Sequence, residues 1–327
     1  MAIKYKWLAA RLKEQLPSYK NNGVHRLPTE AWLCKHYHMS RQTVRDALRL
    51  LEQEGLIERR QGSGSYLTGL SAQKEYNVID ILLPNTEEYL FPALVAELRK
   101  VFGEKGFSCR FHEVNGSLKK EREILEEILS DLPYKGKGLL VMGTKSGFYN
   151  PNLPLYENIL EEDIPLVFFL EAYPELPRVP TVKPDYYHSA GKLVAYSVDK
   201  GNTDIGIILP FMEHSSKEMY QGYLTGLAQA RLPFEEDRVF WVGDQLPSFE
   251  QLCHCEAVIC HDDLMAYLLE KKFRPIANQG KVIPAILSLG GTYLSASSRH
   301  PFYSLEVSTA ALASEAYSLL YSLGLCP

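Results

Sequence analysis

Along the first 70 residues, apolar side chains recur every three or four positions and then alternate with polar ones, which separates helices from a hairpin. Thr29 and Ser40 are typical N-cap residues. Pro17 is expected to end the first helix and Gly55 the third. The predicted elements are helices 5–16, 30–37 and 41–54 and hairpin strands 56–60 and 65–68. Together they predict a winged helix-turn-helix whose third helix buries Val44, Ala47, Leu48 and Leu51.

Beyond the first 70 residues, short apolar runs alternate with amphipathic stretches, which is typical of a parallel α/β architecture. The polar segment 70–76 has no periodic pattern and is predicted to be a linker. The predicted strands are 78–83, 107–114, 138–142, 164–169, 204–209, 238–242, 256–260 and 285–289, and the predicted helices are 91–105, 118–129, 188–200, 216–230, 263–271 and 309–323. We therefore predict a winged helix-turn-helix domain over 1–69 and an α/β domain over 77–327.

Charge is distributed unevenly between these two parts. Residues 1–70 contain 5 Lys and 7 Arg against 6 acidic residues, a net charge of +6, whereas the rest of the chain carries −11. A basic head on an acidic body suggests a polyanion-binding module joined to a part that need not touch nucleic acid. No apolar run approaches the roughly 18 residues of a membrane span. The six cysteines lack regular spacing, so we expect a reduced, cytoplasmic protein without a disulfide framework.

Side chains suited to DNA recognition cluster on the third predicted helix and on the hairpin. The N-terminal residues of a recognition helix lie near base edges in the major groove, where Arg bonds guanine and Gln bonds adenine. Ser and Thr at a helix N-terminus suit phosphate contacts. The candidate DNA-binding residues are Lys4, Thr29, Glu30, Ser40, Arg41, Gln42, Thr43, Arg45, Arg49, Arg59, Arg60, Gln61, Gly62 and Gly64. Arg41 and Arg45 are the leading candidates, and Arg49 lies later on the helix.

The same segments resemble the GntR family of bacterial regulators. The residues that carry the resemblance are Leu27–Glu30, Ser40–Leu48, Leu51–Ile57 and Gly62–Tyr66, in that order along the chain. The resemblance covers nearly all of residues 4–68 and implies a transcriptional regulator that binds double-stranded operator DNA. A winged helix that binds protein through solvated charges is the alternative. Glu30 either orients an arginine or only favours the N-terminus of its helix.

The body resembles the effector-binding domain of the LacI/GalR family, which has the two-lobed fold of periplasmic sugar-binding proteins. The segments that carry this resemblance are 182–185 with the following helix, 222–227, 257–266 and 289–291. It implies a ligand between two lobes. The candidate effector-binding residues are Phe91, Asp185, Met219, Asp263 and Thr292. Met219 and Thr292 stand where sugar-binding members usually carry an arginine and an aspartate, so the effector is a sugar, a non-sugar, or absent.

A homodimeric repressor released by a carbohydrate-like effector is the leading functional hypothesis. A DNA-binding protein whose body only dimerises or senses a non-sugar ligand is the alternative. An enzyme is not expected, because no catalytic motif is present, and neither a cofactor nor a membrane partner is expected. The run Cys253–Cys255, with Cys260–Asp263 beyond it, offers metal-type ligands without a second matched pair. A strand that alternates these residues between core and surface is the other interpretation.

Overall fold

A computed structural model describes residues 2–21, 27–60, 64–68, 77–130, 137–243 and 245–325. The chain folds into two compact units, Met1–Glu75 and Tyr76–Pro327. The predicted linker 70–76 lies outside the described residues, so its boundaries stay a prediction. Among the residues that the structure describes, no helix combines the length and apolar character that crossing a membrane requires.

The first unit contains three helices and a two-stranded hairpin. The helices are α1 (Ala2–Asn21), α2 (Glu30–Tyr37) and α3 (Arg41–Gln53), and the strands are β1 (Ile57–Arg60) and β2 (Gly64–Leu67). The strands pair antiparallel, with Ile57 opposite Leu67 and Arg60 opposite Gly64. The prediction that Pro17 ends the first helix is wrong, because α1 continues through it to Asn21. An interior proline costs a helix about 3 kcal/mol, because one N–H bond is lost and the ring crowds the preceding turn, so it weakens a helix without forbidding it.

The core of this unit confirms the predicted apolar face of α3. Val44, Ala47, Leu48 and Leu51 are buried against Leu8 and Leu12 of α1 and Leu33 of α2. Gly55 follows α3 with a φ of 68°, the left-handed conformation expected just after a helix end. The backbone N–H of Leu27 donates to the carbonyl of Ser65, which ties the chain before α2 to the hairpin.

The second unit begins with a lobe built on a parallel five-stranded sheet, here called lobe 1. In sequence it contains β3 (Val78–Leu83), α4 (Phe91–Glu104), β4 (Ser108–Glu113), α5 (Leu118–Ser130), β5 (Gly138–Val141), α6 (Leu153–Glu161), β6 (Leu166–Phe169) and β7 (Thr181–Val182). The strand order is β4-β3-β5-β6-β7. Apolar clusters cover both faces of the sheet, as parallel sheets require, with α4 on one face and α5 and α6 on the other.

Lobe 2 repeats this architecture with a second parallel sheet. It contains α7 (Tyr186–Asp199), β8 (Ile205–Pro210), α8 (Ser215–Gln229), β9 (Val239–Val242), α9 (Phe249–Leu252), β10 (Ala257–Cys260), α10 (Asp263–Ala277), β11 (Ala285–Gly290), α11 (Tyr293–Ser297) and β12 (Tyr303–Glu306). The strand order is β12-β11-β10-β8-β9. Helices α7 and α8 cover one face, and α9 and α10 the other.

The chain crosses between the lobes after β7 and again after β12. The second crossing leads into α12 (Thr309–Ser322), which packs on lobe 1. Leu312, Ala313, Ala316 and Leu320 of this helix are buried among residues of β3, α4 and β6. Lobe 1 is therefore completed by the last helix of the chain.

Candidate DNA-binding surface and interlobe cleft

Both predicted N-caps of the helix-turn-helix are present. The Oγ1 atom of Thr29 accepts a hydrogen bond from the backbone N–H of Trp32 at 3.2 Å. The Oγ atom of Ser40 accepts from the N–H of Thr43 at 3.2 Å and lies 2.8 Å from the Thr43 hydroxyl. Thr29 thus fixes the start of α2, and Ser40 fixes the start of α3, the part of a recognition helix that faces base edges.

Glu30 connects the recognition helix to the hairpin. One carboxylate oxygen accepts from Nε of Arg45 at 2.9 Å, and the other accepts from an Nη atom of Arg59 at 3.0 Å. The bond and charge of Glu30 raise the pKa of Arg45. Of the two roles considered for Glu30, the structure therefore shows that it orients arginines, while it also stands in the first turn of α2.

The remaining DNA-binding candidates differ in whether other protein groups hold their side chains. Arg41 is exposed at the first position of the helix. Gln42 and Arg49 both donate to Oδ1 of Asp46, at 3.0 and 3.2 Å, so that carboxylate holds two of the polar side chains. Lys4 is exposed on α1. Arg60 closes β1 opposite Gly64, but its side chain lies outside the described residues, as do Gln61 and Gly62.

The cleft between the lobes is formed by loops that follow the carboxyl ends of the strands, the edge at which parallel α/β sheets bind ligands. The lobes touch there. The Tyr89 hydroxyl donates to the carbonyl of Leu289 at 3.3 Å, and the N–H of Gly147 donates to the carbonyl of Met212 at 2.8 Å. A Cβ atom on Gly147 would lie 2.6 Å from the Phe211 carbonyl oxygen. The structure thus represents a closed arrangement of the lobes.

Two of the predicted effector-binding residues bind each other in this cleft. Asp263 is fully buried, and one of its carboxylate oxygens accepts from the backbone N–H and the hydroxyl of Thr292 at 2.7 and 2.8 Å. The other oxygen accepts from the hydroxyls of Ser288 and Ser304. Both oxygens are therefore engaged with protein donors, and Thr292 also caps α11.

The other three predicted effector-binding residues lie apart. Phe91 is buried in the core of lobe 1 and packs edge-to-face on Tyr89, with ring centroids 6.3 Å apart. Met219 is fully buried in the core of lobe 2. Asp185 is an exposed N-cap of α7, where its carboxylate accepts from the N–H of His188 and lies 2.6 Å from the His188 ring nitrogen Nδ1.

A buried polar cluster joins the lobes beside these residues, and of its members the sequence singled out His261 and Asp262 but neither glutamate. The Glu171 carboxylate follows β6 in lobe 1, and its Oε2 atom accepts from the N–H groups of His214 and Ser215 at 3.1 and 3.3 Å and from the Ser146 hydroxyl. In lobe 2, Nε2 of His261 lies 2.9 Å from the Ser215 hydroxyl. Glu171 therefore reaches across the cleft to the start of α8.

Acidic groups surround the second nitrogen of His261. Its Nδ1 atom lies 3.5 Å from Asp262 and 3.6 Å from Glu213, beyond hydrogen-bond distance. Burial alone would lower the pKa of His261, but the interaction with Asp262 and the charges of Glu213 and Glu171 raise it to about 9. Burial raises the pKa of Glu213 to about 7, despite the opposing charge of His261.

A sequence signal for this cluster exists in the strand ends. Glu171, Glu213 and His261 each come within three residues of a buried strand, β6, β8 and β10 respectively. Because ligands bind at the carboxyl ends of parallel strands, polar residues at these strand ends are expected to line the cleft. Which of them meet depends on how two sheets face each other, and the spacing along the chain does not contain that information.

The cysteine-rich run does not gather three metal-type ligands. Cys253 and His254 are exposed, while Cys255 is buried beside Gly206, where a Cβ atom would lie 2.9 Å from its sulfur. Burial raises the pKa of Cys255 to about 11. Within the described part of the chain, Glu171, Glu213 and His261 are the group of three that could hold a metal ion.

Comparison with known proteins decides the identity of the first unit. The family model "Bacterial regulatory proteins, gntR family" matches residues 4–67, which span α1 to β2. The first unit is a GntR-type domain. The resemblance of the capped helices and the hairpin to that family is thereby confirmed.

Two curated relatives extend the GntR-type match into the second unit. The "Arabinose metabolism transcriptional repressor" of Geobacillus stearothermophilus is 26% identical over 302 residues, which cover 86% of this chain and 80% of that protein. The protein of the same name from Halalkalibacterium halodurans is 29% identical over 182 residues, covering 54% of this chain and 48% of that protein.

Solved structures show that the second unit has the LacI-type fold. The transcription regulator CcpA of Lactococcus lactis superposes with a TM-score of 0.64 at 20% identity, over 76% of this chain and 91% of that one. The transcriptional regulator CelR in complex with cellobiose superposes with a TM-score of 0.63 at 18% identity, over 90% of this chain and 93% of that one. The predicted two-lobed α/β architecture is confirmed.

Proposed function

We propose that this chain is a sugar-responsive transcriptional repressor. The observation that carries the proposal is the match to an arabinose repressor over 302 residues, which includes both the GntR-type domain and the two-lobed body. Arg41 and Arg45 at the start of the capped helix α3 supply base contacts, and the hairpin supplies contacts to the backbone of operator DNA. No catalytic role is proposed for the chain.

The effector site that we propose is the interlobe cleft. Hydroxyl-rich ligands need dense, well-placed acceptors and donors, and the cleft presents the carboxylates of Glu171, Glu213 and Asp262 together with His261. Arabinose is the first ligand to test, because two relatives carry the name "Arabinose metabolism transcriptional repressor". A body that only dimerises, or that senses a non-sugar ligand, is the alternative.

A homodimer is the assembly that fits this function. Two copies of α3 would contact two half-sites separated by whole helical turns, so the operator would be a pseudo-palindrome. An effector lowers operator affinity only if it binds the DNA-free arrangement more tightly than the DNA-bound one.

The proposal is tested by footprinting the full chain on the promoter region next to its own coding sequence, at one stated salt concentration. We expect one protected pseudo-palindrome and release of the chain by arabinose or another member of a panel of pentoses, hexoses and sugar phosphates. Absence of a specific footprint would contradict the DNA-binding proposal. A footprint that no panel member releases, without a thermal shift for any of them, would contradict the sugar-sensing part.

A further inference from the structure

We propose that Glu171, Glu213 and His261 bind a divalent transition-metal ion, of the Zn²⁺ or Mn²⁺ class, that bridges the two lobes. One ligand atom from each residue lies within 4.8 Å of the other two. Ligand atoms around one tetrahedral ion, at bond lengths of about 2.1 Å, lie about 3.4 Å apart, and Nδ1 of His261 already lies 3.6 Å from the Glu213 carboxylate. Small side-chain rotations therefore bring the three atoms to coordination distance.

Two of the three side chains carry an unpartnered polar atom, and Nδ1 of His261 faces the Glu213 carboxylate at 3.6 Å. Glu171 is 2% exposed and His261 is 4% exposed. The Oε1 atom of Glu171 and the Nδ1 atom of His261 have no hydrogen-bond partner among the residues described. A buried polar atom without a partner is costly, so these two atoms mark a place where a ligand would be stabilised.

The other polar atom of each of these two side chains, Nε2 of His261 and Oε2 of Glu171, is hydrogen-bonded to protein groups, as is usual for the non-coordinating atom of a metal ligand. A metal-binding histidine usually donates its other ring N–H to a protein acceptor, which fixes the tautomer. Here Nε2 of His261 lies 2.9 Å from the Ser215 hydroxyl, so Nδ1 is the nitrogen that would bind the ion, in exchange for the proton it carries at neutral pH. The three donors to Oε2 of Glu171 similarly orient its free Oε1 atom.

The donor set and the local charge favour a divalent transition metal. One imidazole and two carboxylates suit Zn²⁺, Fe²⁺ or Mn²⁺ better than Ca²⁺ or Mg²⁺, which prefer oxygen donors alone. The carboxylate of Asp262, 3.5 Å from Nδ1 of His261, adds a further negative charge. A divalent cation would therefore offset the mutual repulsion of three neighbouring carboxylates.

An ion at this place would link closure of the lobes to metal binding. Glu171 belongs to lobe 1, whereas Glu213 and His261 belong to lobe 2, so the three ligands meet only when the lobes are together. Anything that binds only the closed arrangement increases its population. The effect on operator release rests on the proposed function, but the binding of the ion does not.

The experiment is calorimetric titration of the full chain, freed of metal with a chelator, with Zn²⁺ and with Mn²⁺. All variants carry Cys253→Ser and His254→Asn, since these exposed neighbours, with Sγ and Nδ1 3.8 Å apart, are a competing surface site. We expect one ion per chain in this background. Binding is lost in Glu171→Gln and in Glu213→Gln, and Ser215→Ala weakens it about 10- to 100-fold.

Folding controls distinguish loss of a metal ligand from loss of the fold. Circular dichroism and thermal unfolding in chelator identify any variant that fails to fold. Glu213→Gln is the safer of the two carboxylate variants, because the side chain of Glu213 is 33% exposed. X-ray absorption of the zinc-loaded background protein should show one imidazole and oxygen donors without sulfur. Absence of saturable binding in the background, or binding unchanged in folded Glu213→Gln, would overturn the metal site.

Operator binding separates this proposal from the previous one. A chain that binds its operator but no metal ion refutes only the metal site. A chain that binds one ion per molecule at Glu171, Glu213 and His261 but has no operator refutes only the repressor function. The two results are read from different titrations of the same preparation.

Discussion

Glu30 holds Arg45 of the recognition helix and Arg59 of the hairpin with its two carboxylate oxygens, at 2.9 and 3.0 Å. The two arginines come from elements that are separate in sequence, and one side chain sets their relative position. Because Arg45 keeps 52% of its side-chain surface exposed, it remains available to DNA while it is oriented.

Replacing Arg45 or Glu30 should weaken operator binding, and the Arg45 variant should lose more affinity. Arg45→Ala removes a base or phosphate contact and should cost about 1–3 kcal/mol, which is about 5- to 150-fold in affinity. Glu30→Gln keeps both arginines but frees them, so we expect a smaller loss. Gel-shift titrations at constant salt measure both. Lys13→Ala is the charge control, because it removes a positive charge and breaks the exposed 2.7 Å ion pair of Lys13 with Glu54. Its operator affinity should stay close to that of the parent. Normal affinity of Arg45→Ala would contradict the placement of the recognition surface.

The stability of the body should fall in acid because of Asp80. This fully buried carboxylate in β3 accepts from Arg110 and lies 2.6 Å from Nε2 of His112, both in β4. Burial alone would raise its pKa, but the bonds and charges of His112 and Arg110 lower it from 3.8 to about 2. Since the folded pKa lies below the unfolded one, the carboxylate contributes stability above about pH 4, worth about 2 kcal/mol, and this is lost as the pH falls toward 2.

Urea unfolding between pH 7 and pH 2 checks this expectation. Asp80→Asn should lower the free energy of unfolding at pH 7 and flatten the dependence on pH below 4, because the titrating group is gone. Asp199→Asn, at an exposed helix end, is the matched control and should follow the parent curve. Equal acid sensitivity of Asp80→Asn and the parent would show that other carboxylates govern the transition.

Gly222 should not tolerate a methyl group, although it lies within a helix. A Cβ atom there would lie 1.9 Å from the Tyr187 carbonyl oxygen, because α7 and α8 pack closely at this point. We expect Gly222→Ala to destabilise the body by several kcal/mol, in keeping with overpacking against backbone. Gly103 is the matched control, because a Cβ atom there would meet no atom within 4 Å. Gly103→Ala should stabilise the body by about 0.5–1 kcal/mol, since alanine favours a helix more than glycine does. Thermal unfolding of the two variants should therefore shift in opposite directions.

Gly147 should control the closed arrangement of the lobes without affecting either lobe alone. Its added Cβ atom would collide with the backbone of Phe211 and Met212, which belong to the other lobe. Gly147→Ala should therefore favour an open arrangement, seen as a larger radius of gyration in small-angle scattering. Gly191→Ala, whose added carbon meets only an ordinary 3.7 Å contact, should leave the scattering unchanged. Equal scattering of Gly147→Ala and the parent would mean that the lobes do not close in solution as they do here.

Much of the fold follows from local pattern, whereas the composition of the cleft does not. The buried strands β3, β8 and β10 and the capped helix α3 were predicted because apolar period and cap residues act within a few positions. The short elements β7, α9 and α11 were missed, since two to five residues carry too little pattern. The nine-residue helix α6 was also missed.

The cleft shows why side-chain roles were harder to predict than elements. Asp263 and Thr292 were expected to face a ligand, yet they bind each other, and the pairing depends on the distance between α10 and the turn after β11. Glu171 and His214 are 43 positions apart and meet across two lobes. Such neighbours are set by tertiary packing, for which the residues around each position offer no local signal.

The return of α12 to lobe 1 has a consequence for synthesis on the ribosome. The sheet of lobe 1 is complete once β7 has emerged, but the face that carries α4 stays partly uncovered until Leu312, Ala313 and Ala316 arrive more than 120 residues later. A nascent chain stalled before residue 309 should therefore be protease-sensitive in lobe 1. Helix α12 thus makes the maturation of lobe 1 depend on a segment that is translated after all of lobe 2, and lobe 2 is the part that can finish first.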